Sequence, residues 1–153
     1  MLTAAPKRWY SWNFEVLDGR RPVADVGVSC WRERGTLQVD GERYDVYREG
    51  WASGAFVLES HGEVLARATK PSAFERRLLV WHAGREYTLR ARFLGRQFLL
   101  FEGSSEVGRI TPEGLLTRRA QVDLPAELPL PVRVFLVWLA VLMWKRAAAA
   151  ASS

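Results

Sequence analysis

One cysteine, two histidines and two methionines are all that this 153-residue chain holds of those three residue types. A lone Cys30 leaves no internal disulfide and puts a cysteine-based zinc site out of reach, which fits a reducing compartment. His61 and His82 each sit beside a hairpin glycine and lack acidic or histidine partners at ligand spacing, so both read as turn residues, not ligands. Cys30, followed by Trp31, reads as a small buried hydrophobe, because no histidine stands near it in sequence to act as its base. No glycine-rich loop precedes a helix to cradle a phosphate, and no nucleophile elbow is present. The stretch Asp40-Gly-Glu-Arg-Tyr-Asp45 lacks the ligand density of a calcium loop. The expectation is a non-enzymatic protein without metal or other cofactor. Met1–Arg8 carries no long apolar run of the signal-peptide kind, so a cytoplasmic location is expected.

Lysine is scarce as well: 19 of the 22 basic residues are arginine, and the formal net charge is +5. No long segment is strongly basic. Residues 9–50 carry net −2, residues 51–92 net +3 and residues 93–130 net −1, while Lys7, Arg8, Arg133, Lys145 and Arg146 add five cations at the flanks. The chain shows no solid basic face of the nucleic-acid-binding type, and nucleic acid is not an expected partner.

What the chain has in plenty is bulk. Apolar residues make up 48%, with seven Trp and seven Phe. A chain of this length reads as one domain, 1–153, that buries about 70% of its unfolded surface. Its apolar residues recur at a fixed step of 42. Trp9, Trp51 and Phe93 share one position, Phe14, Phe56 and Phe98 a second, and Val16, Leu58 and Leu100 a third. Val23, Leu65 and Val107 follow, then Ala24, Ala66 and Gly108, then Val26, Ala68 and Ile110. Six positions in register mark a threefold repeat. Within each unit the pattern alternates: Tyr87, Leu89, Ala91 and Phe93 interleave with Thr88, Arg90 and Arg92, the period of a half-buried strand. Turn signals such as Asp40-Gly41, His61-Gly62, Ala83-Gly84, Leu94-Gly95 and Glu102-Gly103 separate the runs at the spacing of an all-β barrel or sandwich. Four strands in each of three units give about twelve, expected between residues 8 and 124.

After the strands comes Val134–Trp144, eleven apolar residues in a row, led by Pro129 and Pro131 and closed by Lys145-Arg146. Pro suits a first helical turn, and cations suit a helix C-terminus. A helix apolar on all sides is buried in protein or set in lipid. Eleven residues span about 16 Å at about 1.5 Å each, whereas a bilayer core is about 30 Å thick. The expectation is a buried helix from about 131 to 147, with a C-terminal membrane anchor as the alternative. A closed barrel of about twelve strands has a lumen too wide for side chains alone, and an apolar helix about 10 Å across would fill it. The fold class expected is therefore mainly β: a closed antiparallel barrel around a hydrophobic C-terminal helix.

Repeated Phe-x-Val/Leu-x-x-x-Gly hairpins ending in a Pro-led apolar helix resemble the tubby carboxy-terminal-like superfamily, which includes the LURP-one-related proteins and the phospholipid scramblases. The resemblance covers roughly residues 9–146 in pattern and order. It implies a twelve-stranded barrel threaded by its last helix, here Val132–Trp144. It also implies lipid-related roles, since tubby-type members bind phosphoinositide head groups and scramblases are associated with lipid movement. No lipid-binding residue of the family maps by motif onto this chain, so none is carried over.

The strongest site signal is a set of arginines in the middle unit. If Ala83-Gly84 is a two-residue turn, Val80 faces Tyr87, Leu78 faces Leu89 and Arg77 faces Arg90, with Arg92 on the same outward face opposite Glu75. Like charges across a ladder are unfavourable, and an anion between them would relieve the repulsion. Arg77, Arg90 and Arg92 are thus the candidate ligands for an anion, most simply a membrane lipid head group, at the inner face of the membrane. The alternatives are a solvated surface on a ligand-free scaffold with a protein partner, and a scramblase-like lipid-active protein.

Overall fold

The structure, a computed structural model, describes residues 1–8, 10–29, 33–50, 54–72, 76–92, 96–114 and 118–152. Among them the chain forms twelve strands and one helix. The strands are β1 (Leu2–Pro6), β2 (Phe14–Asp18), β3 (Arg21–Val28), β4 (Gly35–Val39), β5 (Glu42–Glu49), β6 (Ala55–Ser60), β7 (Glu63–Thr69), β8 (Arg77–His82), β9 (Arg85–Ala91), β10 (Phe98–Glu102), β11 (Ser105–Pro112) and β12 (Ala120–Asp123). The helix, α1, spans Leu130–Ala151. The strands run up and down in sequence order, and β1 closes the barrel by pairing with both β2 and β12. Of the sequence features above, Trp9, Trp51, Phe93, Cys30, Trp31, Glu75 and the Leu94-Gly95 turn lie outside the described residues.

The repeat is built into the hydrogen bonding. A register shift falls between Val16 and Leu17, between Leu58 and Glu59 and between Leu100 and Phe101, at the same place in each unit. Such bulges bend the strand and sharpen its twist, which helps a sheet to close. The hairpin that follows each bulge turns on Gly19, His61 and Gly103, again one per unit, all with φ between 51° and 62°. His61 thus adopts a left-handed backbone where its two counterparts are glycine, and the next residue, Gly62, also has positive φ, at 79°. Asp40-Gly41 and Ala83-Gly84 share that double positive φ, the geometry whose twist matches the flanking strands.

Two boundaries differ from the sequence reading. The first strand lies at Leu2–Pro6, before the expected start near residue 8, and it serves as the fourth strand of the third unit. Its Ala-Ala-Pro ending is poor in strand formers; its place is fixed by closure, with Leu2 and Ala4 buried against the lumen. The helix extends to Ala151 instead of ending near 147, because the alanine tail is made of the best helix former.

The core is the lumen. Phe14, Phe56, Phe98, Leu58, Leu89 and Leu100 are all buried, as their repeat positions require. They pack around α1, whose buried residues Val132, Val134–Leu142 and Trp144 cover every side of the helix. Trp138 is fully buried, edge-on to Phe56 at 5.8 Å and stacked on Phe135 at 6.2 Å between ring centroids. Among the described residues no polar or charged residue is fully buried. By length and hydropathy α1 could cross a bilayer, yet here the apolar run lies inside the barrel and only the alanine tail projects.

Candidate functional site

Up-and-down order gives the barrel two different ends. At one end, connections of two residues join β2 to β3, β4 to β5, β6 to β7, β8 to β9 and β10 to β11, and α1 starts beside them. At the other, connections of five to seven residues join β1 to β2, β3 to β4, β5 to β6, β7 to β8, β9 to β10 and β11 to β12, and α1 emerges among them.

Charge divides between these ends. Taking each connection with its flanking strand-terminal residues and the helix C-terminus, the described part of the loop end holds twelve cations: Lys7, Arg8, Arg34, Lys70, Arg76, Arg77, Arg92, Arg96, Arg118, Arg119, Lys145 and Arg146. Against them stand three carboxylates, Glu33, Glu49 and Glu113. The described part of the hairpin end holds Arg20, Arg21, Arg85 and Arg133 against seven carboxylates, Asp18, Asp40, Glu42, Glu63, Glu102, Asp123 and Glu127. Charges that look dispersed along the chain form one basic rim.

Several rim cations donate to neutral acceptors, which orient them. Arg96 Nη2 donates to the Gly114 carbonyl at 2.9 Å, and Lys145 Nζ donates to the Ser29 carbonyl at 3.0 Å. Arg118 donates to the carbonyls of Arg8 and Ser11, and its guanidinium lies 5.1 Å from the Trp12 ring centre. Arg92 donates to Gln97 Oε1 at 3.1 Å. Among the described residues three rim cations reach carboxylates: Lys7 with Asp25 at 2.7 Å, Arg119 with Glu113 at 3.1 Å, and Arg146 with Glu33 at 2.6 Å. Glu33 also lies 3.5 Å from Arg48 Nη1, so one acid ties the helix C-terminus to the wall. Along the wall, and at Glu49 of the rim, opposite charges pair directly. Arg67 grips Glu49 with two nitrogens and, mainly through that hydrogen bond, holds its carboxyl below the usual range. Tyr47 donates to Glu59 at 2.6 Å, and this bond, with burial second, raises its phenol.

Ala83-Gly84 is the two-residue turn expected, and Arg77 faces Arg90, Leu78 faces Leu89 and Val80 faces Tyr87. Arg77 and Arg92 flank the loop end, and Arg90 stands one step down the same outward face, its guanidinium 4.6 Å from the Phe101 ring centre. The three arginines therefore share one face, at the edge of a larger basic rim. The sequence reading missed Lys70, Arg76, Arg96 and Arg118 as companions. Counting charge separately over alternate connections would have found them. His61 sits in its turn, and His82 ends β8 with Nδ1 2.8 Å from the Leu65 carbonyl. Among the described residues, no three His, Cys, Asp or Glu side chains gather where they could hold a metal ion.

Behind the rim, beside the emerging helix, lies a cleft of about 240 Å³. Leu78, Ala91, Phe98, Met143 and Trp144 line it on the apolar side, and Lys70, Arg76, Arg77 and Arg146 on the charged side. Trp144 is fixed there by donating Nε1–H to the Arg96 carbonyl at 2.8 Å.

No family model, curated protein or solved structure matches the chain.

Proposed function

We propose that this protein is a non-enzymatic module that docks its loop end on an anionic membrane surface, with Arg77, Arg90 and Arg92 at one side of the contact. The observation that carries the reading is the charge division: among the described residues, twelve cations stand against three carboxylates at the end where α1 emerges. Cations gathered on one face add their attraction to an anionic leaflet at about 1 kcal/mol each, whereas the same residues spread over all sides would not. Exposed Tyr10 at this end, with Arg8 5.8 Å from its ring centre, supplies an amphipathic aromatic of the kind found at lipid interfaces. The twelve-stranded barrel threaded by its last helix supports the resemblance to the tubby carboxy-terminal-like superfamily, and with it a lipid-related role.

Co-sedimentation with vesicles tests this. The protein should bind phosphatidylcholine vesicles containing phosphatidylserine, and not pure phosphatidylcholine vesicles. Binding should collapse between about 0.1 M and about 1 M salt, as the Debye length falls from about 10 Å to about 3 Å. Replacing Arg77, Arg90 and Arg92 together by Ala should weaken it up to about 100-fold, since about 3 kcal/mol is lost at about 1.4 kcal/mol per tenfold. Replacing Arg20 and Arg21 at the opposite end should change nothing. Equal binding to neutral vesicles, an unaffected triple variant or tighter binding to duplex DNA would reject the proposal, and no binding at all would favour a ligand-free scaffold.

A further inference from the structure

We propose that the cleft beside the helix C-terminus is a binding site for a single acyl chain with an anionic head. The chemistry of its two sides differs. Leu78 is 1% exposed and Phe98 3%, and with Ala91, Met143 and Trp144 they form an apolar pocket that is not filled by any side chain of the core. At its mouth stand Lys70, Arg76 and Arg77, and no carboxylate lines the cleft among the described residues. Lys70 and Arg76 form no ion pair with a described residue, and such cations suit a carboxylate or phosphate head. A purely apolar ligand would leave them without partners. A purely polar anion would leave the apolar wall wet. An amphiphile satisfies both sides at once.

Volume sets the chain length. At about 30 Å³ per water-sized group, about 240 Å³ accommodates about eight methylenes. This site is smaller than a drug-sized pocket of about 300–1,000 Å³, and it excludes a second chain. A lone fatty acid and a lyso-lipid share the required chemistry. The inference rests on the anion-binding reading of the loop end only for the availability of Lys70 and Arg76; the apolar cleft is an independent observation.

Calorimetric titration of the full chain with monomeric sodium octanoate is the direct test. Saturable one-to-one binding is expected, with affinity rising about fourfold per methylene from hexanoate to octanoate and little beyond. Octanol should bind at least tenfold more weakly, and acetate should not bind. An octanoyl lyso-phospholipid in a parallel titration identifies the source: tighter binding than octanoate assigns the site to lipid, weaker binding to free acid. Met143→Trp, which fills the cleft, should abolish the octanoate signal. Lys70→Glu with Arg76→Glu, at surface positions, should reduce affinity at least tenfold while the melting transition stays in place. Absence of saturable binding to both ligands, or octanoate affinity unchanged in the charge-reversed variant, overturns the inference. Vesicle binding by Met143→Trp distinguishes the two proposals: its retention leaves the membrane reading standing whether or not the cleft is occupied, and failure of vesicle binding alone leaves the cleft standing.

Discussion

A chain cut before Pro131 is expected not to fold. The deletion removes Val132, Val134–Leu142 and Trp144, all buried in the lumen. Fully burying one large apolar side chain contributes about 1.5–3 kcal/mol, so Phe135, Leu136, Trp138, Leu139 and Leu142 alone stand for roughly 10 kcal/mol. That is an upper estimate, because the unfolded chain already hides some surface, but it matches a whole-domain stability of about 5–15 kcal/mol. The loss is double. Phe14, Phe56, Phe98, Leu58 and Leu89 face the helix from the wall and would line an empty, wettable lumen. Twelve strands cannot collapse to close that space without breaking their register. The single change Leu139→Asp should act in the same direction, since position 139 is 0% exposed and no polar or charged residue is fully buried among the described residues to partner the carboxylate. Melting curves and near-ultraviolet circular dichroism read the outcome. A soluble truncation with a cooperative transition and native-like aromatic signal would mean that α1 is an appendage, as the membrane-anchor alternative requires.

Much of this architecture was legible because it rests on spacing. The 42-residue step marked positions of which Phe14, Phe56 and Phe98, with Val16, Leu58 and Leu100, proved to be buried wall residues, and it also carried the bulges after Val16, Leu58 and Leu100, which no composition argument would reveal. The Arg77–Arg90 pairing was legible because Ala83-Gly84 fixes a hairpin register by local geometry. What stayed hidden depends on contacts distant in sequence. β1 pairs with β12 across almost the whole chain, and nothing in Leu-Thr-Ala-Ala-Pro announces it. The basic rim stayed hidden for a related reason. Its cations arrive one or two per connection, so a running tally along the chain mixes both ends of the barrel. Only the alternation of short and long connections separates Lys7, Lys70, Arg96 and Arg118 from Asp18, Glu63 and Glu102.

Gly35→Ala is expected to be among the most damaging single methyl additions to this protein. Gly35 opens β4 and pairs with Val28, and no turn signal singles it out in sequence. A Cβ placed there would lie 2.4 Å from the Gly27 carbonyl oxygen, 2.8 Å from Trp138 Nε1 and 2.9 Å from Val46 Cγ2. The first neighbour is backbone of the adjacent strand. The second belongs to a fully buried indole whose N–H has no hydrogen-bond partner among the described residues and which is locked between Phe56 and Phe135. Neither can retreat without moving the strand or the helix, so the missing side chain at Gly35 is what lets Trp138 approach the wall. Overpacking of a full core costs typically about 1–3 kcal/mol, and contact on three sides places this change at the upper end. At about 2–4 °C per kcal/mol for a chain of this size, the melting temperature should fall by about 10 °C. Gly27→Ala is the control. It sits on the neighbouring strand, opposite Thr36, and its added Cβ would meet nothing closer than the Thr36 carbonyl oxygen at 3.9 Å. With space available, alanine there should be neutral or stabilising by up to about 1 kcal/mol, because it restricts the unfolded chain. Equal melting temperatures for the two variants would show that Trp138 does not press on the wall at β4, and the helix would then have to sit in the lumen in another rotation.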